Sequence, residues 1–293
     1  MNNATLIKIA PRHKIAIGTR EWLSIQIERM LDGEIFGEVV VLTPELAGIF
    51  LEANPLNRNL SKTNLRKFTR DLVDGRWRLN GESMIIANTG EMNDGQHRCQ
   101  IVFETGVSME TFISFGVERS TRLTTDQGAV RTAGNFLAMV GVANSTAVAH
   151  ACRLLHQYEK FGRVGRGPDT IPTKIVIQEV AEENPGLADS IEATVPRKAR
   201  MVCSRGIMVF CHYVFAKIDR TDADDFMDKV GSGLNLGEGD PIVALRDRLE
   251  RYRDAKKSNE PDTVQCFFRA WNFYRANKTI RSIQLSDRLP VLK

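Results

Sequence analysis

Short apolar runs and helix-spaced apolar residues alternate along the first half of this chain. Residues 39–42 and 83–87 are short apolar runs that predict strands, and 111–117 predicts a third. Between them, 43–53 and 61–74 carry apolar residues at helical spacing. Thr43 stands at the N-cap position, followed by a proline, and Leu65, Phe68 and Leu72 form one stripe of the second helix. This half predicts a mixed α/β domain.

The pattern changes near residue 140, and beyond it nearly all periodicity is helical. The predicted helices are 147–161, 172–183, 200–218, 222–231, 241–257 and 263–278. The sequence therefore predicts an α+β protein with an N-terminal extension at 1–37, a mixed α/β domain at 38–142 and an all-helical domain at 143–293. In the last helix Phe267, Trp271 and Tyr274 share one stripe, so we interpret it as a core helix, not as a base-stacking surface.

Composition narrows the class of protein but says little about chemistry. The 293 residues are 42% hydrophobic, enough for a full core, and the net charge of +4 permits a nucleic-acid partner without requiring one. Five cysteines without a Cys-x-x-Cys pair argue against a disulfide framework or a zinc ribbon. The apolar run 201–218 is interrupted by Arg205, His212 and Lys217, and residues 1–12 lack the apolar core of a signal peptide. We expect a soluble, cytoplasmic protein.

Five consecutive residues, Asp94, Gly95, Gln96, His97 and Arg98, carry the clearest chemical signal. This 94–98 motif follows the strand 83–87 and a turn at 88–91, and it precedes a predicted helix at 99–104 that Gly106 closes. Free backbone N–H groups and the helix dipole favour an anion at the start of a helix, and arginine can donate two hydrogen bonds to phosphate oxygens. The motif predicts a phosphate site. The alternative is an ordinary turn in which Asp94 caps the helix.

The 94–98 motif and its surroundings resemble the ParB/sulfiredoxin superfamily, in the branch with a DGQHR signature. The resemblance covers about residues 38 to 140. It includes Asn57-Arg58, the helix 61–74, Gly75-Arg76-Trp77, Asn80-Gly81-Glu82, the strand 111–117 and the segment from Asp126 to Thr132. The corresponding pocket binds ATP in sulfiredoxin and in a free-serine kinase, and CTP in chromosome-partition proteins. The resemblance therefore implies an ATP or CTP site formed by Gly95, Gln96, His97 and Arg98 together with Asn57, Arg58 and Arg131.

Two departures from the superfamily pattern restrict the function. Gln96 stands where sulfiredoxin keeps its nucleophilic cysteine, and a carboxamide cannot supply a thiolate, which excludes sulfinic-acid repair. His97 stands where a partition protein has an arginine, which weakens the analogy to a CTP switch. Cys99 lies about one helical turn beyond Gln96 and is expected to face the core.

Two carboxylates near the motif are candidates for catalysis. Asp94 adjoins the predicted phosphate site and could hold Mg²⁺ or act as a general base. Glu82 lies before the strand that leads into the 94–98 motif. The free-serine kinase branch uses a glutamate as its base, and Glu82 is the candidate here. The alternatives are that Asp94 is a helix cap and that Glu82 belongs to an exposed Asn-Gly turn.

Two basic loops predict a nucleic-acid contact. The glycine-rich segment 162–168, which we interpret as flexible and outside the core, carries Arg163 and Arg166, and the segment 196–200 carries Arg197 and Arg200. Each loop alone is more typical of a solvated surface, whereas the two together favour a nucleic-acid partner. His150 and Cys152 diverge by about 200° on a helix, which argues against a shared metal, so His150 is interpreted as a half-buried structural histidine.

Three functions of different classes remain open. The first is an ATP-dependent phosphotransferase or ATPase used in nucleic-acid or nucleoside modification, by analogy with DGQHR proteins of DNA-modification systems. Proteins that resemble the chain in its Arg269-Ala270-Trp271-Asn272 helix are mostly phage-borne. The second is a non-catalytic DNA-binding clamp or regulator gated by nucleotide, and the third is a nuclease, for which the sequence offers no convincing metal-carboxylate cluster. The expected partners are a nucleotide and DNA or a nucleoside, without a membrane, and a homodimer is left open.

Overall fold

The computed structural model describes residues 15–53, 60–123, 131–165, 167, 169–194, 203–256 and 259–293. The chain forms two compact units, Met1–Ala129 and Val130–Lys293. Within the described residues, a five-stranded mixed sheet and twelve α-helices confirm the predicted α+β class. No helix in this part of the chain is both long and apolar enough to cross a membrane.

The first unit is built on a sheet of five strands: β1 (Ala16–Ile17), β2 (Phe36–Leu42), β3 (Ser83–Ala87), β4 (Met92–Asp94) and β5 (Met109–Val117). Their order across the sheet is β1-β2-β5-β3-β4. β2 and β5 run antiparallel, with Val40 opposite Thr111, whereas β5 and β3 run parallel, with Ser83 opposite Phe112. The short edge strands β1 and β4 pair with β2 and β3. The three predicted strands are confirmed.

Four α-helices belong to the first unit: α1 (Arg20–Leu31), α2 (Pro44–Glu52), α3 (Lys62–Val73) and α4 (Gln96–Thr105). The predicted start of α2 is confirmed, because the Thr43 hydroxyl accepts a hydrogen bond from the backbone N–H of Leu46 at 3.2 Å. α2 and α3 both pack against α4. Leu46 and Phe50 of α2 enter the core beside Met84 and Phe115 of the sheet.

Part of the segment assigned to an N-terminal extension is built into this unit. β1 pairs with β2, and α1 contributes Leu23 and Met30 to the core. The periodicity did not predict α1, because three of its apolar residues, Ile25, Ile27 and Leu31, are exposed and blur the buried stripe.

The second unit is helical throughout its described residues. Its helices are α5 (Ala133–Met139), α6 (Ser145–Phe161), α7 (Lys174–Glu183), α8 (Gly186–Thr194), α9 (Arg205–Ala216), α10 (Arg220–Ser232), α11 (Pro241–Asp254) and α12 (Glu260–Arg275). The sequence placed α5 in the first domain, whereas α5 packs against α6 and α7 of the second unit.

An aromatic cluster holds the second unit together. Phe215 and Trp271 are fully buried and stack with ring centroids 4.4 Å apart, and Phe226 meets Trp271 edge-on. The interpretation of the last helix as a core helix is confirmed, because Phe267 and Trp271 have no exposed surface. Its Arg275 faces outward to Asp219 and Asp222.

Candidate functional site

The 94–98 motif is divided between two elements. Asp94 is the last residue of β4 and lies opposite Ile85 of β3, whereas Gln96, His97 and Arg98 form the first turn of α4. The predicted turn at 88–91 is confirmed, since the Ala87 N–H donates to the Glu91 carbonyl at 2.8 Å. The sequence did not reveal β4, because three residues are too few to show a period of two.

Gly95 is required at the junction between β4 and α4 for two independent reasons. It is the N-cap of α4 and has a φ of 119°, in the region that side chains disfavour. A Cβ at this position would also lie 2.8 Å from Cγ of Met84. The close neighbour that excludes a side chain at Gly95 is the core residue Met84.

The N-terminus of α4 has no side-chain cap. The N-cap is Gly95, which has no side chain to accept a hydrogen bond from the first turn, so the alternative that Asp94 caps the helix is wrong. Among the described residues the Asp94 carboxylate has no hydrogen bond or ion pair. Oε1 of Gln96 is buried and lacks a hydrogen-bond partner in the same part of the chain.

Arg98 already has structural partners. Its Nη1 donates to the backbone carbonyl of Glu82 at 2.8 Å and to the Thr111 hydroxyl at 3.2 Å. Only 13% of the Arg98 side chain is exposed. The residue thus connects α4 to the start of β3 and to β5. A guanidinium carries five N–H donors, so these bonds occupy only part of its capacity.

Glu82 lies in the exposed turn that precedes β3. Its backbone N–H donates to Oδ1 of Asn80 at 3.0 Å, which agrees with the interpretation as an exposed Asn-Gly turn. Its carboxylate is 82% exposed and lies 3.8 Å from Nη2 of Arg98. At this exposure the ion pair contributes little to stability.

The other nucleotide-binding residues that the resemblance implies are spread along the chain. Asn57 and Arg58 lie outside the described residues. Arg131 is exposed and belongs to the second unit, immediately before Thr132, the N-cap of α5. The structure therefore brings together the 94–98 motif and Glu82.

Of the four arginines predicted to contact nucleic acid, only Arg163 lies within the described residues, where it is exposed. Arg166, Arg197 and Arg200 lie outside them. The interpretation of the loop after α6 as lying outside the core is wrong for its described part. Val164 is buried, and both the N–H and the carbonyl of Gly165 are hydrogen-bonded to the buried Gln157 side chain, at 3.2 and 2.9 Å.

Cys99 is fully buried, as predicted, and desolvation raises the pKa of its thiol to about 12, so it is not a thiolate nucleophile at neutral pH. In the described part of the chain, no three His, Cys, Asp or Glu side chains are grouped so that they could hold a metal ion.

A charged cluster in the second unit was not predicted from the sequence. His150 of α6 is half-buried, as expected, and its Nε2 lies 2.9 Å from Oε1 of Glu260 at the start of α12. The same oxygen accepts from Nη2 of Arg153 at 2.5 Å. Glu260 follows His150 by 110 residues, so no local pattern could pair them.

Comparison with protein-family models, with curated proteins and with solved structures finds no match for this chain.

Proposed function

We propose that the first unit binds a nucleoside triphosphate at the start of α4 and acts as a phosphotransferase or ATPase of the ParB/sulfiredoxin type. The observation that carries this proposal is the uncapped N-terminus of α4 directly after Asp94, whose carboxylate has no partner among the described residues. An uncapped helix start attracts phosphate, and a free carboxylate beside it supplies a metal ligand or a base.

The residues of the motif have distinct roles in this proposal. The backbone N–H groups of the first turn of α4 and the positive end of its dipole hold the phosphate oxygens. The N–H donors of Arg98 that remain after its bonds to Glu82 and Thr111 contribute charge-assisted hydrogen bonds.

Mg²⁺ fits this site through one protein carboxylate. Magnesium in phosphoryl-transfer sites commonly takes one or two carboxylates, with substrate phosphates and water as its other ligands. Asp94 would be that ligand, and the ion would supply charge neutralisation at the transferring phosphate. Glu82 is then left as the general base toward a hydroxyl acceptor, for which its exposed carboxylate is accessible.

The proposal is tested by measuring the binding and turnover of ATP, CTP and GTP with Mg²⁺, with and without DNA or nucleoside acceptors. Asp94→Asn should abolish turnover and retain most of the nucleotide affinity, since the amide keeps the shape of the side chain but loses its charge and basicity. Asp32→Asn, at the exposed C-terminal end of α1, is the matched control and should behave as wild type. Unchanged turnover in Asp94→Asn would overturn the assignment of Asp94.

The second candidate function is a DNA-binding protein gated by nucleotide. It is favoured by Arg163, which is exposed and forms no hydrogen bond or ion pair within the described residues. In that case the wild-type protein would bind nucleotide, release neither phosphate nor a phosphorylated product, and change its retention on DNA. Arg163→Ala would then reduce the salt dependence of DNA binding.

A further inference from the structure

Residues 276–293 follow α12 and form neither a helix nor a strand. The part from 283 to 293, referred to as the tail segment, lies against the helical unit. Its first residue, Ile283, is only 2% exposed, and Leu285, Leu289 and Leu292 pack against the same core. The residues that lead into the tail segment, 281 and 282, are exposed. The segment is therefore anchored by apolar side chains and joined to the unit through an exposed connection.

Gln265 of α12 binds the main chain of the tail segment. The Gln265 side chain is 7% exposed, and its amide pairs with both main-chain groups of Ser286. Nε2 donates to the Ser286 carbonyl at 2.7 Å, and Oε1 accepts from the Ser286 N–H at 2.7 Å. Nε2 also donates to the carbonyl of Arg288 at 3.1 Å. A side chain that bonds in this way replaces the edge of a neighbouring strand and recognises any extended peptide with a free N–H group.

Asn272 repeats this arrangement farther along the same helix. Its Nδ2 donates to the carbonyl of Val291 at 2.7 Å, and its Oδ1 accepts from the N–H of Lys293 at 3.0 Å. The indole N–H of Trp271 donates to the carbonyl of Lys293 at 3.1 Å. Two amide side chains and one indole of α12 therefore hold an extended segment at both of its ends.

Among the described residues, α12 alone holds the tail segment by hydrogen bonds. Every hydrogen bond that leaves the segment goes to a side chain of this helix, including the bond from Nη2 of Arg269 to the Ser286 hydroxyl at 2.7 Å. Beyond Ile280, whose N–H donates to the Gly239 carbonyl, no main-chain group in this part of the chain bonds to another main-chain group. Releasing the segment would therefore break no main-chain ladder.

These contacts do not require that the tail segment belong to the same molecule as α12. When identical elements are exchanged between copies, each bond that is lost is replaced by the same bond, so the exchange costs little. We propose that the face of α12 formed by Gln265, Arg269 and Asn272 is a docking surface for the tail segment of a second copy of this chain. The exposed residues Arg281 and Ser282 would carry the connection from one copy to the other.

Two variants of the full chain with complementary defects test this proposal. Ile283→Asp should release its own tail segment, because a carboxylate replaces a buried anchor, and it leaves the α12 face intact. Gln265→Ala removes three hydrogen bonds from the α12 face and leaves the tail segment intact. In analytical ultracentrifugation each variant alone should be a monomer, whereas an equal mixture should form a heterodimer. A mixture of the two folded variants that stays monomeric would overturn the proposal.

Val291→Asp is the matched control for Ile283→Asp. It introduces the same charge into the tail segment, but Val291 is 81% exposed and loses no burial. Its tail segment should stay on its own α12, so a mixture with Gln265→Ala should remain monomeric. A heterodimer in this mixture too would show that the association does not need a vacant α12 face, and the proposal would be wrong. If either test variant does not fold, Leu289→Asp replaces Ile283→Asp and Asn272→Ala replaces Gln265→Ala.

A peptide with the sequence of residues 281–293 measures docking directly. It is labelled at its N-terminus and amidated at its C-terminus, which retains the carbonyl of Lys293. By fluorescence anisotropy, it should bind the full-chain Ile283→Asp variant at least about tenfold more tightly than wild type, in which the tethered tail segment competes at an effective concentration on the order of millimolar. The same peptide carrying Ile283→Asp should not bind. Equal binding of the two peptides, or no binding of the first to the folded variant, would overturn the proposal.

Discussion

Nη1 of Arg98 donates a hydrogen bond to the backbone carbonyl of Glu82 at 2.8 Å, and thereby joins the first turn of α4 to the residue before β3. The same nitrogen reaches the hydroxyl of Thr111, which is only 2% exposed. The residue that the resemblance assigns to phosphate binding therefore also stabilises the fold. Any measurement of its role in binding has to separate the two effects.

Arg98→Ala should lower the free energy of unfolding by about 1–3 kcal/mol, because it leaves the Thr111 hydroxyl and the Glu82 carbonyl without their donor. Urea denaturation measures this directly. Arg163→Ala, at an exposed position without a partner in the described residues, is the matched control and should be nearly neutral. A double-mutant cycle with Thr111→Val should show coupling between the two side chains, and strict additivity would contradict the structural role.

Three glycine substitutions separate backbone conformation from steric contact. Gly81→Ala should be nearly neutral, because its φ is ordinary and the added methyl meets no atom within 4 Å. Gly90→Ala should cost about 1–2 kcal/mol through its positive φ of 83° alone. Gly95→Ala should cost more than either, because it adds a contact with Met84 to a φ of 119°. Thermal melting ranks the three, and a Gly95→Ala variant as stable as Gly81→Ala would contradict this geometry.

His212 should make the stability of the second unit depend on pH. Its side chain is fully buried, its Nε2 lies 2.8 Å from Asp224, and desolvation lowers its pKa below the ordinary value of 6.5. Below pH 6.5 the unfolded chain therefore takes up a proton that the folded protein does not, and stability should fall as the pH decreases. Urea titrations at neutral pH and near pH 5 should show this loss in wild type.

The corresponding substitution tests the origin of that pH dependence. His212→Gln should reduce the difference in stability between neutral pH and pH 5, because the titrating group has been removed. His156→Gln, elsewhere in the second unit, should retain the difference. An undiminished pH dependence in His212→Gln would show that other groups cause it.

Glu260 should contribute to stability in a lower pH range. Its pKa is lowered from 4.5 to about 2, chiefly by the hydrogen bond from His150. Its contribution, on the order of 2–3 kcal/mol, is complete above pH 4.5 and is lost as the pH falls toward 2. Glu260→Gln should therefore be less stable than wild type at pH 6, and the difference should shrink at pH 3. A difference that does not change with pH would contradict the assigned pKa.

The sequence alone determined much of the local structure. The predicted strands at 83–87 and 111–117 and the helices beginning at Thr43 and Ser61 follow from apolar periodicity and from residues that cap helices, which act over only a few positions. The left-handed backbone at Gly106, which ends α4, is equally local. The division into a mixed unit and a helical unit follows from the same periodicities summed over longer stretches.

Tertiary structure decided the partners that each side chain reaches. The pairing of β1 with β2 and the packing of α5 on α6 depend on surfaces far apart in the sequence, as does the bond from Arg98 to Thr111. The cluster of His150, Arg153 and Glu260 connects α6 to the start of α12. Such contacts form where the folded chain buries its apolar groups and at the same time gives its polar groups hydrogen-bond partners. That condition leaves no periodic trace in the sequence.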